Sequence, residues 1–93
     1  MISDRLQAYV RQCFDPADVE PILDLLLEAF WVEPEDTAEG IERIHAAVIF
    51  VADGDTQRFL YAVAMAQGDW RDVLVAARLA HAGWAERLKT VLG

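Results

Sequence analysis

Glu42 and His45 are the pair of residues whose types and spacing come nearest to a metal-binding motif. They stand three positions apart, which places both side chains on one face of an α-helix, and Glu39 precedes them on that face. A dimetal centre in a helical bundle needs a second such pair and two further carboxylates. The other histidine, His81, has Arg78 at the matching position. We therefore predict no metal site and interpret His45 as a histidine at the core edge, bonded to a neighbouring carboxylate or carbonyl.

The single cysteine, Cys13, is the only candidate for a thiol nucleophile. It lies on the apolar face of the first predicted helix, where a thiol behaves as a small hydrophobic group. No histidine is close in sequence to activate it, and acidic surroundings oppose a thiolate. Glycine-rich phosphate loops, serine nucleophile elbows and Cys/His clusters are absent from the sequence. The sequence thus predicts no catalytic residue and no cofactor, which argues against an enzyme.

Five acidic residues within ten positions form the densest charge cluster of the chain. They lack the Asp-x-Asp-x-Asp-Gly loop and the distal Glu of a calcium site. One interpretation is a solvated helix start, since acids there meet the positive end of the helix dipole. The other is a docking surface for a basic protein, with a tryptophan as its aromatic anchor. The predicted partner-binding residues are Trp31, Glu33, Glu35, Asp36, Glu39 and Glu42.

The formal net charge of −8 is distributed unevenly along the chain. Residues 1–55 contain thirteen acids and three bases, whereas residues 56–93 contain three acids and five bases. An acidic protein is repelled by phosphate backbones and anionic lipid surfaces, which disfavours nucleic acid and membranes as partners. The unlike halves can attract each other within one chain or between copies. Self-association, to which Trp70 and Trp84 could contribute, is therefore a second hypothesis.

The length of 93 residues and the hydrophobic content of 55% predict one folded domain that spans residues 1–93. The N-terminus lacks the basic stretch and apolar run of a signal peptide. No apolar run approaches the roughly 20 residues that cross a bilayer. A single cysteine fits a reducing compartment. We expect a soluble, cytoplasmic protein.

An apolar run in the middle of the chain, residues 44–52, determines the predicted fold. Eight of its nine side chains are apolar, so a helix formed by it needs to be covered on all sides. A buried strand is the alternative, because short apolar runs are ambiguous. The helical spacing of Ile41 and Ile44, and the turn signal after the run, favour the helix. The sequence predicts an all-α fold, a compact bundle of five or six short helices around a central helix at about 37–52.

Two helices are expected before the central one, at about 3–14 and 16–32. Pro21 would bend the second helix if it lies past the first turn, in which case the helix starts near residue 19. For the central helix, Asp36 followed by Glu39 resembles a capping box.

The C-terminal half is predicted to form tight helical hairpins. Gly54-Asp55 recurs as Gly68-Asp69, where glycine supplies the left-handed conformation that ends one helix and aspartate caps the next. The predicted helices span about 55–67, 69–81 and 84–92.

Alanines on the first two of these helices, Ala64 and Ala77 among them, are expected to allow close backbone approach, so that leucine at either position would overpack the contact.

Residues 69–74, Asp-Trp-Arg-Asp-Val-Leu, resemble a phrase of small uncharacterised bacterial α-helical proteins, Asp-Trp-Arg-Asp-Val/Leu-Leu. The resemblance is confined to one helix start. It implies a helical protein and no particular function.

These observations predict a small acidic protein–protein interaction domain with a regulatory, adaptor or inhibitor role. The alternatives are a self-associating structural module and a helix-turn-helix-like domain that binds nucleic acid. In the last, two arginines against one aspartate make a poor reader of the DNA groove. The second helix would present Trp70, Arg71, Asp72, Val75 and Arg78.

Overall fold

The central apolar run forms a helix in the computed structural model, which describes residues 2–29 and 37–93. These residues form six α-helices and no strand. The all-α bundle predicted from the sequence is therefore confirmed. The helices are α1 (Asp4–Cys13), α2 (Pro16–Ala29), α3 (Ala38–Ala52), α4 (Thr56–Gly68), α5 (Trp70–Ala76) and α6 (Trp84–Leu92).

Helix α3 is the centre of the bundle, as its composition predicts. Residues 45–49 and Ala52 are buried, while Ile44, Phe50 and Val51 are half-buried. Helices α1, α4, α5 and α6 all pack against α3. Burial of apolar side chains from α3 and from the helices around it supplies the main favourable free energy of folding.

Polar side chains fix the starts of four helices by accepting hydrogen bonds from free backbone N–H groups. Ser3 caps α1, Asp55 caps α4 and Asp69 caps α5. At α3 the Thr37 hydroxyl accepts from the backbone N–H of Gly40 at 3.0 Å. Thr37 is thus the N-cap, and Asp36, the predicted cap, lies outside the described residues.

Helix α2 runs without interruption through Pro21. A proline at this position removes the hydrogen bond to the carbonyl of Ala17. Both residues are exposed, so water can satisfy that carbonyl. Of the two starts predicted for this helix, residue 16 and about residue 19, the structure has the first. The predicted end at Val32 lies outside the described residues.

Helix α5 ends at Ala76, five residues earlier than predicted. Arg78 adopts the left-handed conformation with φ of 61°. Its N–H donates to the Val75 carbonyl, and the Leu79 N–H donates to the Leu74 carbonyl. These two bonds define a Schellman motif, which Leu74 and Leu79 complete with their buried side chains. The prediction to residue 81 was wrong because an arginine occupies the position where glycine usually marks such an end.

Gly68 and Ala64 also differ from expectation. Gly68 is the last residue of α4 and is absent from the positions with positive φ, so the extended backbone of Asp69 separates α4 from α5. Ala64 is exposed, whereas Ala77 is buried. The overpacking predicted for leucine therefore applies to Ala77 and not to Ala64.

Candidate functional site

The predicted partner-binding surface is only partly within the described structure. Trp31, Glu33, Glu35 and Asp36 lie outside the described residues.

Glu39 is exposed in the first turn of α3, where a carboxylate meets the positive end of the helix dipole. Glu42, one turn further, is 9% exposed. The two carboxylates thus have different surroundings, although their sequence spacing suggested one surface.

The Glu42 carboxylate is bound by residues of the N-terminal helix. Arg5 donates from Nε at 2.8 Å and from a terminal nitrogen at 2.6 Å, one bond to each carboxylate oxygen. The Ser3 hydroxyl donates a third hydrogen bond. The bond from Arg5 is the largest cause that lowers the pKa of Glu42, and burial opposes it. This ion pair joins α1 to α3, so Glu42 stabilises the fold directly.

His45 faces the interior of the bundle and is 2% exposed. Burial lowers its pKa to about 4, because a charged imidazolium is poorly solvated there. The imidazole is therefore neutral at pH 7. Among residues 2–29 and 37–93, the structure contains no group of three or more His, Cys, Asp or Glu side chains that could hold a metal ion.

Cys13 is half-buried at the end of α1, beside Tyr9. Burial is the main cause that raises the pKa of Tyr9 to about 12, and the neighbouring thiol adds to it. The Tyr9 ring packs edge-on against Phe50 with ring centroids 5.7 Å apart. Cys13 and Tyr9 therefore belong to the packing between α1 and α3.

A shallow depression of about 360 Å³ lies where the α1–α2 and α3–α4 turns meet. Asp15, Asp18 and Asp55 surround it, together with Cys13. The Asp55 carboxylate accepts hydrogen bonds from two backbone N–H groups at the start of α4. The role of Asp55 is helix capping, so no ligand is needed to account for this one of the three acids.

A row of carboxylates on α2 is the surface feature that the sequence analysis missed. Glu20, Asp24 and Glu28 are spaced by four residues and are all exposed, so they follow one outer face of the helix. Leu27, on the same face, is 50% exposed. The ion pairs found in the described part of the chain involve Arg5 and Arg58 and none of these acids. The i, i+4 spacing could have identified this row, which we call the α2 acidic row.

The residues predicted for a helix-turn-helix occupy the short helix α5 and the turn after it. Trp70 is 47% exposed and Val75 is 65% exposed. Arg71 lies over the Trp70 ring at 5.5 Å. α5 is seven residues long, about 10 Å at the rise of an α-helix.

The chain matches no protein-family model, no curated protein and no solved structure. Among the described residues, no helix combines the length and the apolar character needed to span a bilayer.

Proposed function

We propose that this protein is a protein–protein interaction domain that binds a basic segment of its partner along the α2 acidic row. The observation that carries the proposal is the run Glu20, Asp24 and Glu28 on one exposed face, next to the half-exposed Leu27. Three like charges and an apolar contact in one line match a partner segment that carries lysine or arginine beside an apolar residue.

The energetics of α2 support binding from outside. Like charges four residues apart destabilise a helix by about 0.2–0.5 kcal/mol per pair, and the row contains two such pairs. No basic residue occurs in α2 to offset them. A bound cationic segment would remove this repulsion, so binding and helix stability reinforce each other.

The predicted surface from Trp31 to Glu39 follows α2 directly in the sequence. We propose that these residues also take part in binding the basic segment, with Trp31 as an aromatic anchor. Glu42 is assigned instead to the ion pair with Arg5. A regulatory, adaptor or inhibitor role agrees with a domain whose proposed chemistry is recognition by charge.

Fluorescence anisotropy tests the proposal by measuring how tightly the protein binds a labelled amphipathic peptide. The peptide carries lysine at every fourth position and leucine between the lysines. Neutralising the row with Glu20→Gln, Asp24→Asn and Glu28→Gln should weaken peptide binding about tenfold at low salt, at roughly 0.5 kcal/mol per exposed charge. The salt dependence should also become shallower.

The matched control changes the net charge equally through three exposed acids elsewhere, Asp4→Asn, Asp53→Asn and Glu86→Gln. We expect less than about a twofold effect on peptide binding. Equal losses in the two triple variants would mean that net charge alone attracts the peptide, and the proposed site would be rejected. If only the variant with the neutralised α2 acidic row loses peptide binding, capture from cell lysate with both triple variants would identify natural partners. These are the proteins that are lost with that variant and retained with the control.

A further inference from the structure

The outer face of α4 is apolar between Gln57 and Gln67, which is unusual for a helix at a protein surface. Residues 59–66 carry no charge, and the Tyr61 hydroxyl is their only polar side-chain group. Phe59, Ala62, Val63 and Ala66 point into the core and are buried. On the opposite side, Leu60 is 58% exposed, Tyr61 is 66% exposed and Ala64 is also exposed. Helix α2, in contrast, places three carboxylates on its outer face.

The side chains along this face decrease in size at helical spacing. Leu60, Ala64 and Gly68 are four residues apart, so they lie in one line over about 12 Å. Apart from its chain neighbours and the backbone of α4, no atom of residues 2–29 and 37–93 lies within 4 Å of the position that a Cβ of Gly68 would occupy. The line therefore begins with a large exposed side chain and ends at an exposed glycine.

We propose that α4 pairs with α4 of a second copy of this chain, antiparallel, about a two-fold axis near Ala64. Such an axis places position 60 of one copy opposite position 68 of the other, because 64 lies midway between them. Each Leu60 then fills the space above the opposite Gly68, and the two Ala64 residues allow close approach at the centre. A face that is complementary to itself in this way is what a two-fold interface requires.

Charge at the two ends of α4 also favours a second copy over an unrelated partner. Arg58, near the start, has one ion-pair contact in the described part of the chain, at 4.0 Å to the exposed Asp53. An antiparallel pair brings the start of one α4 beside the end of the other, which the exposed Asp69 and Asp72 follow in the chain. Each end thus gains an opposite charge from the other copy.

The expected dimer is weak, because one pair of helices about 20 Å long buries less than a standard interface of roughly 1,600 Å². This inference does not depend on the proposed binding of a basic segment. Sedimentation velocity over roughly a hundredfold concentration range, centred in the micromolar region, should show a monomer–dimer equilibrium. A strict monomer, or a trimer or larger species, would overturn the proposal.

The variant Leu60→Glu places a charge at the contact without touching the core, and we expect a monomer. Leu27→Glu makes the same change on the outer face of α2 and should leave the dimer intact. Loss of the dimer in both, or in neither, would contradict an interface at α4. Circular dichroism of each variant confirms that the helices are retained.

A size swap tests the antiparallel register. Leu60→Ala and Gly68→Leu should each weaken dimerisation about tenfold or more, the first by removing a contact and the second by filling the space. Combined in one chain, they should restore dimerisation to within about threefold of the unmodified protein, since leucine again faces a small residue. Additive losses in the double variant would overturn the register.

Discussion

Arg43 of α3 donates two hydrogen bonds to the backbone carbonyl of Leu79, at 2.8 Å from Nε and 2.6 Å from a terminal nitrogen. The same guanidinium lies 4.8 Å from the centre of the Trp84 ring. One side chain of the central helix therefore holds both the segment after α5 and the start of α6.

Arg43→Met should lower the free energy of unfolding by about 2–3 kcal/mol, because it removes charged hydrogen bonds and a cation–π contact. Urea denaturation followed by circular dichroism measures this value. Arg71→Met is the control, since Arg71 also lies over a tryptophan but is exposed. We expect a loss below about 1 kcal/mol there, and equal losses would show that the bonds to Leu79 contribute little.

Glu42→Gln should lower the free energy of unfolding by about 1–3 kcal/mol, because it weakens the bidentate pair with Arg5. Asp53→Asn removes the exposed partner of Arg58 and should change stability by less than about 0.5 kcal/mol. The pKa of Glu42 is lowered from 4.5. Its contribution is therefore complete above about pH 4.5 and is lost as the pH falls through the lower folded-state pKa.

The same variant separates fold from recognition. Glu42→Gln should leave binding of the basic peptide nearly unchanged, within about twofold, since this carboxylate is already bound within the chain. A large loss of peptide binding in a folded Glu42→Gln protein would return Glu42 to the partner-binding surface.

His45 makes the fold sensitive to mild acid. Its pKa falls from 6.5 to about 4 on folding, so between these values the unfolded chain binds a proton that the folded chain does not. Stability should fall as the pH drops from 6.5 towards 4, by up to about 3 kcal/mol. Denaturation curves at several pH values measure this loss.

The variant His45→Gln should remove most of the loss of stability between pH 6.5 and 4.5, whatever its effect on stability at pH 7. The control variant His81→Gln changes an exposed histidine and should lose stability over this pH range as the unmodified protein does. If both variants retained the full pH dependence, another group would be responsible for it.

Arg78→Gly should raise the free energy of unfolding by about 0.5–1 kcal/mol, because glycine adopts a left-handed conformation without the steric cost that arginine has there. Ala76→Gly, two residues earlier and within α5, should lower it by a similar amount. A thermal melt compares the two variants. Destabilisation by both would mean that the Arg78 side chain makes a contribution larger than its backbone strain.

The sequence was sufficient to predict the fold class and the central helix, because an apolar run without a polar face must be buried by its neighbours in a small protein. The end of α5 could not be predicted in the same way. It depends on the burial of Leu79 and on Arg43, which lies 36 residues away in the chain. Long-range contacts of this kind leave no local pattern at the residues that they affect.

The candidate surface was predictable to a similar degree. The acidity of the chain and the spacing of Glu20, Asp24 and Glu28 are visible in the sequence. The engagement of Glu42 with Arg5, 37 residues apart, is not. The exposure of Leu60 is equally hidden, because a helix that is apolar all round usually indicates burial on every side.

The packing of α2 beside α4 has a consequence for valency. A pair of chains joined through α4 would carry two α2 acidic rows in one assembly. A partner with two basic segments could then occupy both rows, and the second binding event would be intramolecular. Its avidity would exceed that of a single row by about 10²-fold or more, so a weak charge-based contact would become selective for partners that carry such segments in tandem.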